Sequence, residues 1–128
     1  MNRRNEFEAA KLMNDSEALK SLAVAALEDM KAVNLVVLDV GHLTDVMEYL
    51  IVASGTSNRH VKSLAENVVV ESKKAQMPPL GVEGQNAGEW VLVDLGGVVV
   101  HVMLPATRAF YDIERLWSVQ AEPAGSED

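Results

Sequence analysis

"GEWVLVDLGGVVVHVM", residues Gly88–Met103, has the pattern of a β-hairpin with two apolar-rich faces. Two β-branched runs flank Gly96-Gly97, and a glycine pair between such runs reads as a two-residue hairpin turn. That turn makes Leu95 the partner of Val98, Val93 of Val100 and Val91 of Val102. Side chains alternate faces along a strand, so these six share one side. All six are aliphatic, and their side faces a core. The opposite side sets Trp90 against Met103, Leu92 against His101 and Asp94 against Val99. An indole, a thioether, two aliphatics, an imidazole and a carboxylate make neither a plain solvent face nor a plain core. Pattern alone leaves two readings open. The second face is buried under a helix, as in sheets covered on both sides, or it is a docking surface for a partner.

Working outward, "LGVEG" (Leu80–Gly84) reads as a short edge strand because of its glycines. Pro105 to Trp117 reads as a closing helix, with Ala109, Phe110, Ile113, Leu116 and Trp117 on one side. Upstream, "YLIVAS" (Tyr49–Ser54) is a strand broken by Gly55. Thr56 or Ser57 then caps a helix to about Ala75, with Val61, Leu64, Ala65, Val68 and Ala75 inward and Pro78-Pro79 beyond its end. "LVVLDV" (Leu35–Val40) is a buried-type strand, and "GHLTDVME" is a loop. Leu19, Leu22, Ala23, Ala26, Leu27 and Met30 stand at helical spacing. With Asn14, Asp15 or Ser16 as cap, they predict an amphipathic helix over Ser16–Ala32. The order is α-β-β-α-β-β-β-α without an internal repeat. It predicts a single α/β domain with a mixed sheet of about five strands and flanking helices. The expected organisation is a flexible N-terminal arm over 1–13, a domain over 14–117 and a disordered acidic tail over 118–128, "SVQAEPAGSED".

Composition narrows the function classes. A chain of 128 residues is long enough to bury one real core. It has no apolar run long enough to span a bilayer. The start, "MNRRNEFEAAKLMNDSEALK", is too polar for a signal peptide, so a cytoplasmic location and no membrane association are expected. Without cysteine there are no disulfides and no thiolate metal sites. A formal net charge of −8 disfavours attraction to naked nucleic acid or an anionic membrane. On charge alone it is better read as an aid to solubility, and it is also compatible with a basic protein partner.

Catalytic signals are sparse. "GTSNRHV", Gly55–Val61, places hydroxyl groups, Arg59 and His60 at a helix N-terminus. Thr56, Ser57, Arg59 and His60 are the residues an anion or phosphate site would use. The pattern is not a Walker loop, and an ordinary capped helix start accounts for it better. His42, His60 and His101 lack metal-ligand spacing, so no metal and no cofactor are expected. No Asp-x-Asp pair, no Gly-x-Ser-x-Gly elbow and no nucleophile–base–orienter set are present. The residues point away from an enzyme. The alternative is a nucleotide-binding transferase built on Gly55–His60.

"GTSNRHV", "PPLGVEG", "GEWVLVDLGGVVVHVM" and "TRAFYDIERLW" stand in the order and spacing of the ribosomal silencing factor, or Iojap, family. The resemblance covers about Ser16–Trp117. It departs in "GHLTDVMEY", where Glu48 takes the place of the family's usual aspartate. The resemblance implies a nucleotidyltransferase-like fold without the catalytic carboxylates. It implies a translational repressor that binds protein number fourteen of the large ribosomal subunit and sterically blocks the small one when nutrients are short. It also implies a homodimer when free. On that reading Trp90 anchors a contact face with Leu92, Asp94, Val99, His101 and Met103.

Overall fold

The structure, a computed structural model, describes the backbone of residues 3–118 and side chains from residue 15 onward. The element order is α1 (Arg3–Asp29), β1 (Val33–Asp39), β2 (Tyr49–Ser54), α2 (Asn58–Lys74), β3 (Gly81–Glu83), β4 (Trp90–Asp94), β5 (Val98–Met103), α3 (Pro105–Tyr111) and α4 (Ile113–Ser118). The five strands form one mixed sheet in the order β1-β2-β5-β4-β3. β2 and β5 run parallel, and every other neighbouring pair is antiparallel. The expected α/β class and strand number are both observed. β3 is an edge strand, as its glycines suggested.

The hairpin register is the predicted one: Val91 pairs with Val102, Val93 with Val100, Trp90 with Met103, Leu92 with His101 and Asp94 with Val99. Gly96 alone of the turn glycines has positive φ, 98° in its case, as a II′ turn requires of its first central residue. The Leu95 amide closes the turn on the Val98 carbonyl. Asp94 Oδ1 accepts the Gly96 amide at 2.9 Å.

The first sheet face is the main core. Val91, Val93, Leu95, Val98, Val100 and Val102 meet Ile51 and Ala53 of β2, Leu19, Ala23, Ala26 and Leu27 of α1, and Val61, Leu64, Ala65 and Val68 of α2. The inward stripe of α2 differs from expectation at its end: Ser72 is buried, whereas Ala75 is exposed because it is the C-cap.

Both long helices stop in the same way. After α1, Lys31 donates to Glu28 and Ala32 to Leu27. After α2, Gln76 donates to Lys73 and Met77 to Ser72. These are paired 6→1 and 5→2 bonds with the C′ residue left-handed, at φ 62° for Lys31 and 63° for Gln76. A lysine and a glutamine hold positions that glycine normally takes. α1 thus ends at Asp29, short of the expected Ala32, with no stop mark in the sequence, while Pro78-Pro79 mark the end of α2 near its C-cap Ala75. Met30 is exposed because it sits at the α1 C-cap. At its other end α1 begins at Arg3, well before the capping pattern at Asn14–Ser16. Residues 3–13 are rich in Arg, Glu, Ala, Lys, Leu and Met, all good helix formers, and propensity prevails over the internal cap signal. The tail over 119–128 lies outside the described residues.

The closing helix is two helices. Asp112 adopts left-handed geometry, φ 46°, and breaks α3 from α4. The break undoes the single apolar side expected for Pro105–Trp117. Ile113 and Trp117 pack on the sheet, while Ala109, Phe110 and Leu116 are exposed.

One close approach interlocks α1 with the hairpin. A Cβ on Gly97 would land on the hydroxyl of Ser16, which is buried and has no hydrogen-bond partner among the described residues. Gly97→Ala should therefore lower the melting temperature. Ser16→Ala in the same chain should recover most of the loss, because the clash is with Oγ. Thermal melts of the two single variants and the double variant test this. Strictly additive effects would contradict it.

Candidate functional site

The second sheet face is divided. On its β1–β2 half, Val40, Leu50 and Val52 are buried. Leu38, Leu43, Met47, Val99, Ile113 and Trp117 pack around them. This half is covered by the α3–α4 corner, which Arg108 fastens. Its Nε and Nη2 donate to the two carboxylate oxygens of Glu114 at 2.9 and 3.0 Å, and its Nη1 donates to Ser54 Oγ at 2.9 Å. The guanidinium beside Glu114 holds that carboxyl below its usual range. A bidentate, partly desolvated pair of this kind fixes an angle as well as a distance.

The β4–β3 half carries the candidate contact residues that remain accessible. Trp90 is half-buried. Its ring lies 4.9 Å from Tyr111 and 5.9 Å from His101, centroid to centroid. The Trp90 Nε1–H donates to His101 Nδ1 at 2.9 Å. Phe110 packs edge-on against Tyr111 at 4.9 Å. Phe110 is 79% exposed and Tyr111 53%, so the aromatic cluster ends in solvent. Leu92 and Asp94 continue the patch along β4. Glu83, the register partner of Leu92, borders it on β3.

The six residues read as a contact face thus separate. Trp90, Leu92 and Asp94 stand on the open half, although one Asp94 oxygen is engaged in the hairpin turn. Val99 belongs to the packing under α4. Met103 is fully buried at 0% exposure and has no surface to offer. The reason is its place in the sheet: Met103 sits on β5 between Ser54 and Trp90, just ahead of α3, whereas β4 lies farther from that cover. His101 is half-buried and reaches the surface through Trp90. Phe110 and Tyr111 were not legible as contact residues, because only the break at Asp112 turns them outward.

The helix start at Gly55–Val61 is used internally. Ser57 is the N-cap and accepts the His60 amide at 3.1 Å. His60 Nδ1 accepts the Thr56 amide, and Nε2 donates to the Met30 carbonyl, both at 2.9 Å. The imidazole is therefore a tie between α2 and the end of α1. Of the four residues considered for an anion, Thr56, Ser57 and His60 have these groups committed to the fold. Arg59 lines a shallow open groove with Met30, Lys62, Ser63, Glu66 and Gln85. Among the described residues no group of three or more His, Asp or Glu could hold a metal ion. No described helix is long and apolar enough to cross a membrane.

Comparison with known proteins places this geometry. Residues 13–128 match the family described as "Ribosomal silencing factor during starvation". The chain is 52% identical over 104 residues to a ribosomal silencing factor of Chromobacterium violaceum, a match covering 81% of this chain and 85% of that one. A crystal structure of a Chromobacterium violaceum protein superposes with a TM-score of 0.79 at 52% identity, covering 80% of this chain and 85% of that one. A mouse protein named for mitochondrial assembly of the ribosomal large subunit is 32% identical over 103 residues. That match covers 78% of this chain and 45% of the mouse protein.

Burial pulls the His101 imidazole down from 6.5 to about 4. An unfolded chain protonates this group as pH falls through 6.5, while the native one keeps it neutral to about 4. The unfolded state binds the extra proton across that window, so stability falls as pH drops. The slope from one such group is at most ~1.4 kcal/mol per pH unit. Melts between pH 7 and 4.5 should lose stability more steeply for the parent protein than for His101→Asn. Parallel curves would contradict the buried, neutral imidazole.

Proposed function

Because the chain belongs to the ribosomal silencing factor family, we propose that it represses translation by docking on the large ribosomal subunit and keeping the small subunit from joining. The contact is the open half of the second sheet face, and the partner is protein number fourteen of the large subunit. The observation that supports this most is the exposed Phe110 joined through Tyr111 to the half-buried Trp90. Aromatic anchors of this kind, central and rimmed by polar groups, carry most of the energy of protein interfaces. Asp94, Glu83 and Glu89 supply an acidic rim for the basic groups of a ribosomal protein.

The charge of −8 fits the same partner. An acidic factor is steered toward a basic protein and repelled by the surrounding RNA, which favours one spot over general RNA binding. Silencing of this sort is steric. No bond is made or broken, and the residues need no metal or nucleotide. The same aromatic patch, when no ribosome is present, pairs with a second copy of the chain to give a homodimer, and both act in the cytoplasm.

Sucrose gradients test the proposal directly. Large subunits incubated with the protein should yield fewer joined ribosomes on adding small subunits. An unchanged profile at saturating protein would overturn it. Trp90→Ala should weaken subunit binding roughly thirtyfold, the usual cost of a central interface indole. Phe110→Ala is the cleaner probe: its side chain is exposed, so folding should change by less than ~0.5 kcal/mol while binding falls. Val93→Ala is the converse. It should lower the melting temperature and leave binding by the folded fraction intact. Parent-like binding by both aromatic variants would remove the patch from the interface.

A further inference from the structure

We infer that His101 is a positioning residue, whose Nδ1 holds the Trp90 indole N–H inward so that Trp90 meets its partner with ring carbon alone. The inference rests on the docking reading and adds a statement about specificity: the partner's pocket for Trp90 is apolar and supplies no hydrogen-bond acceptor.

The geometry comes from the sheet. Trp90 lies opposite Met103, and His101 lies opposite Leu92, so Trp90 and His101 are diagonal neighbours on one face. Diagonal partners on adjacent antiparallel strands are within reach only of long or aromatic side chains. Here the indole turns along the strands to reach the imidazole, and the bond closes at 2.9 Å. Tyr111 lies near the ring at 4.9 Å. Two neighbours, one polar and one aromatic, therefore fix a side chain that is otherwise free to choose among rotamers.

The chemistry is one-directional. An indole nitrogen only donates, and an imidazole nitrogen accepts only when it carries no proton. Nδ1 must therefore be the bare nitrogen, and the ring must be neutral. The half-buried setting of His101 favours that form, since a charged imidazole there is poorly solvated. With its single donor consumed inside the protein, Trp90 has nothing polar left for a partner. A leucine or phenylalanine at position 101 would fill the space but release the donor. An asparagine would keep an acceptor near the place of Nδ1.

The test uses the full chain and purified large subunits. In uniformly 15N-labelled parent protein, a scalar coupling across the hydrogen bond should link Trp90 Nε1 to His101 Nδ1. Its absence would overturn the inference without any variant. His101→Leu should shift the Trp90 indole resonance and speed its exchange with water, leaving Trp117 unchanged. The same variant should weaken subunit binding roughly three- to tenfold, the range for one neutral hydrogen bond. His101→Asn should recover much of this. In a Trp90→Phe background, which has no indole donor, His101→Leu should cost almost nothing further. An undiminished loss there would make His101 a merely structural residue and overturn the inference. If the parent protein itself fails to bind large subunits, the docking reading falls, and with it the statement about the partner's pocket. The coupling and the indole resonance then still decide whether His101 holds the ring.

Discussion

The two-residue turn at Gly96-Gly97 is the constraint on which the rest depends. It sets a register in which every second residue of β4 and β5 is aliphatic on one side, and a slip of one residue would exchange the faces. The same turn organises its neighbours. The Gly97 carbonyl accepts the amides of Glu48 and Tyr49 at 2.7 and 3.1 Å, which brings the start of β2 beside β5 for parallel pairing. Ser16 of α1 lies against Gly97 on its helix side. A single tight turn thus joins the hairpin, the crossover strand and the first helix.

Because the first face is committed to the core by that register, the second face bears whatever function the sheet has. Only part of it can be covered, since α3 and α4 are short. Arg108 binds Glu114 and Ser54 together and sets the corner over the β1–β2 half of the face. The left-handed Asp112 directs Ile113 and Trp117 onto the sheet and leaves Phe110 outside. The consequence is a face half sealed and half open, with Trp90 at the boundary. That position explains why its ring is held from within by His101 and Tyr111 and still has surface to present.

Most of the frame was legible because it rests on local rules. Period-two alternation and a glycine pair determined the hairpin pairing down to individual partners. A hydroxyl after Gly55 marked the start of α2, and four of its inward residues followed from helical spacing. The parts that were not legible depend on positions where an unmarked residue takes an unusual backbone. Lys31 and Asp112 are left-handed with nothing in their side chains to demand it, so the α1 end and the break between α3 and α4 were not legible, whereas Pro78-Pro79 did mark the end of α2 near Ala75. The early start of α1 escaped because composition outweighed a cap signal. The second face was the hardest case. Its six residues read as one mixed surface, yet Met103 and Val99 belong to packing while Trp90 and Leu92 do not. That division is a property of how far α3 and α4 extend over the sheet, which no pattern within the hairpin contains. The aromatic pair on α3 was hidden because the break at Asp112 splits the single apolar side expected for Pro105–Trp117.

On the proposed docking, the open, aromatic half of the second sheet face lies against a protein of the large subunit. A photoreactive benzophenone amino acid placed at position 110, on α3, reports on that contact at the level of individual atoms. A matched probe at Glu71, on the outer side of α2, reports on the opposite side of the molecule. Irradiation with purified large subunits should join position 110, and not position 71, to one basic ribosomal protein, number fourteen. Cross-links that form equally from both positions, or that run from position 71 alone, would contradict the assignment of the docking face.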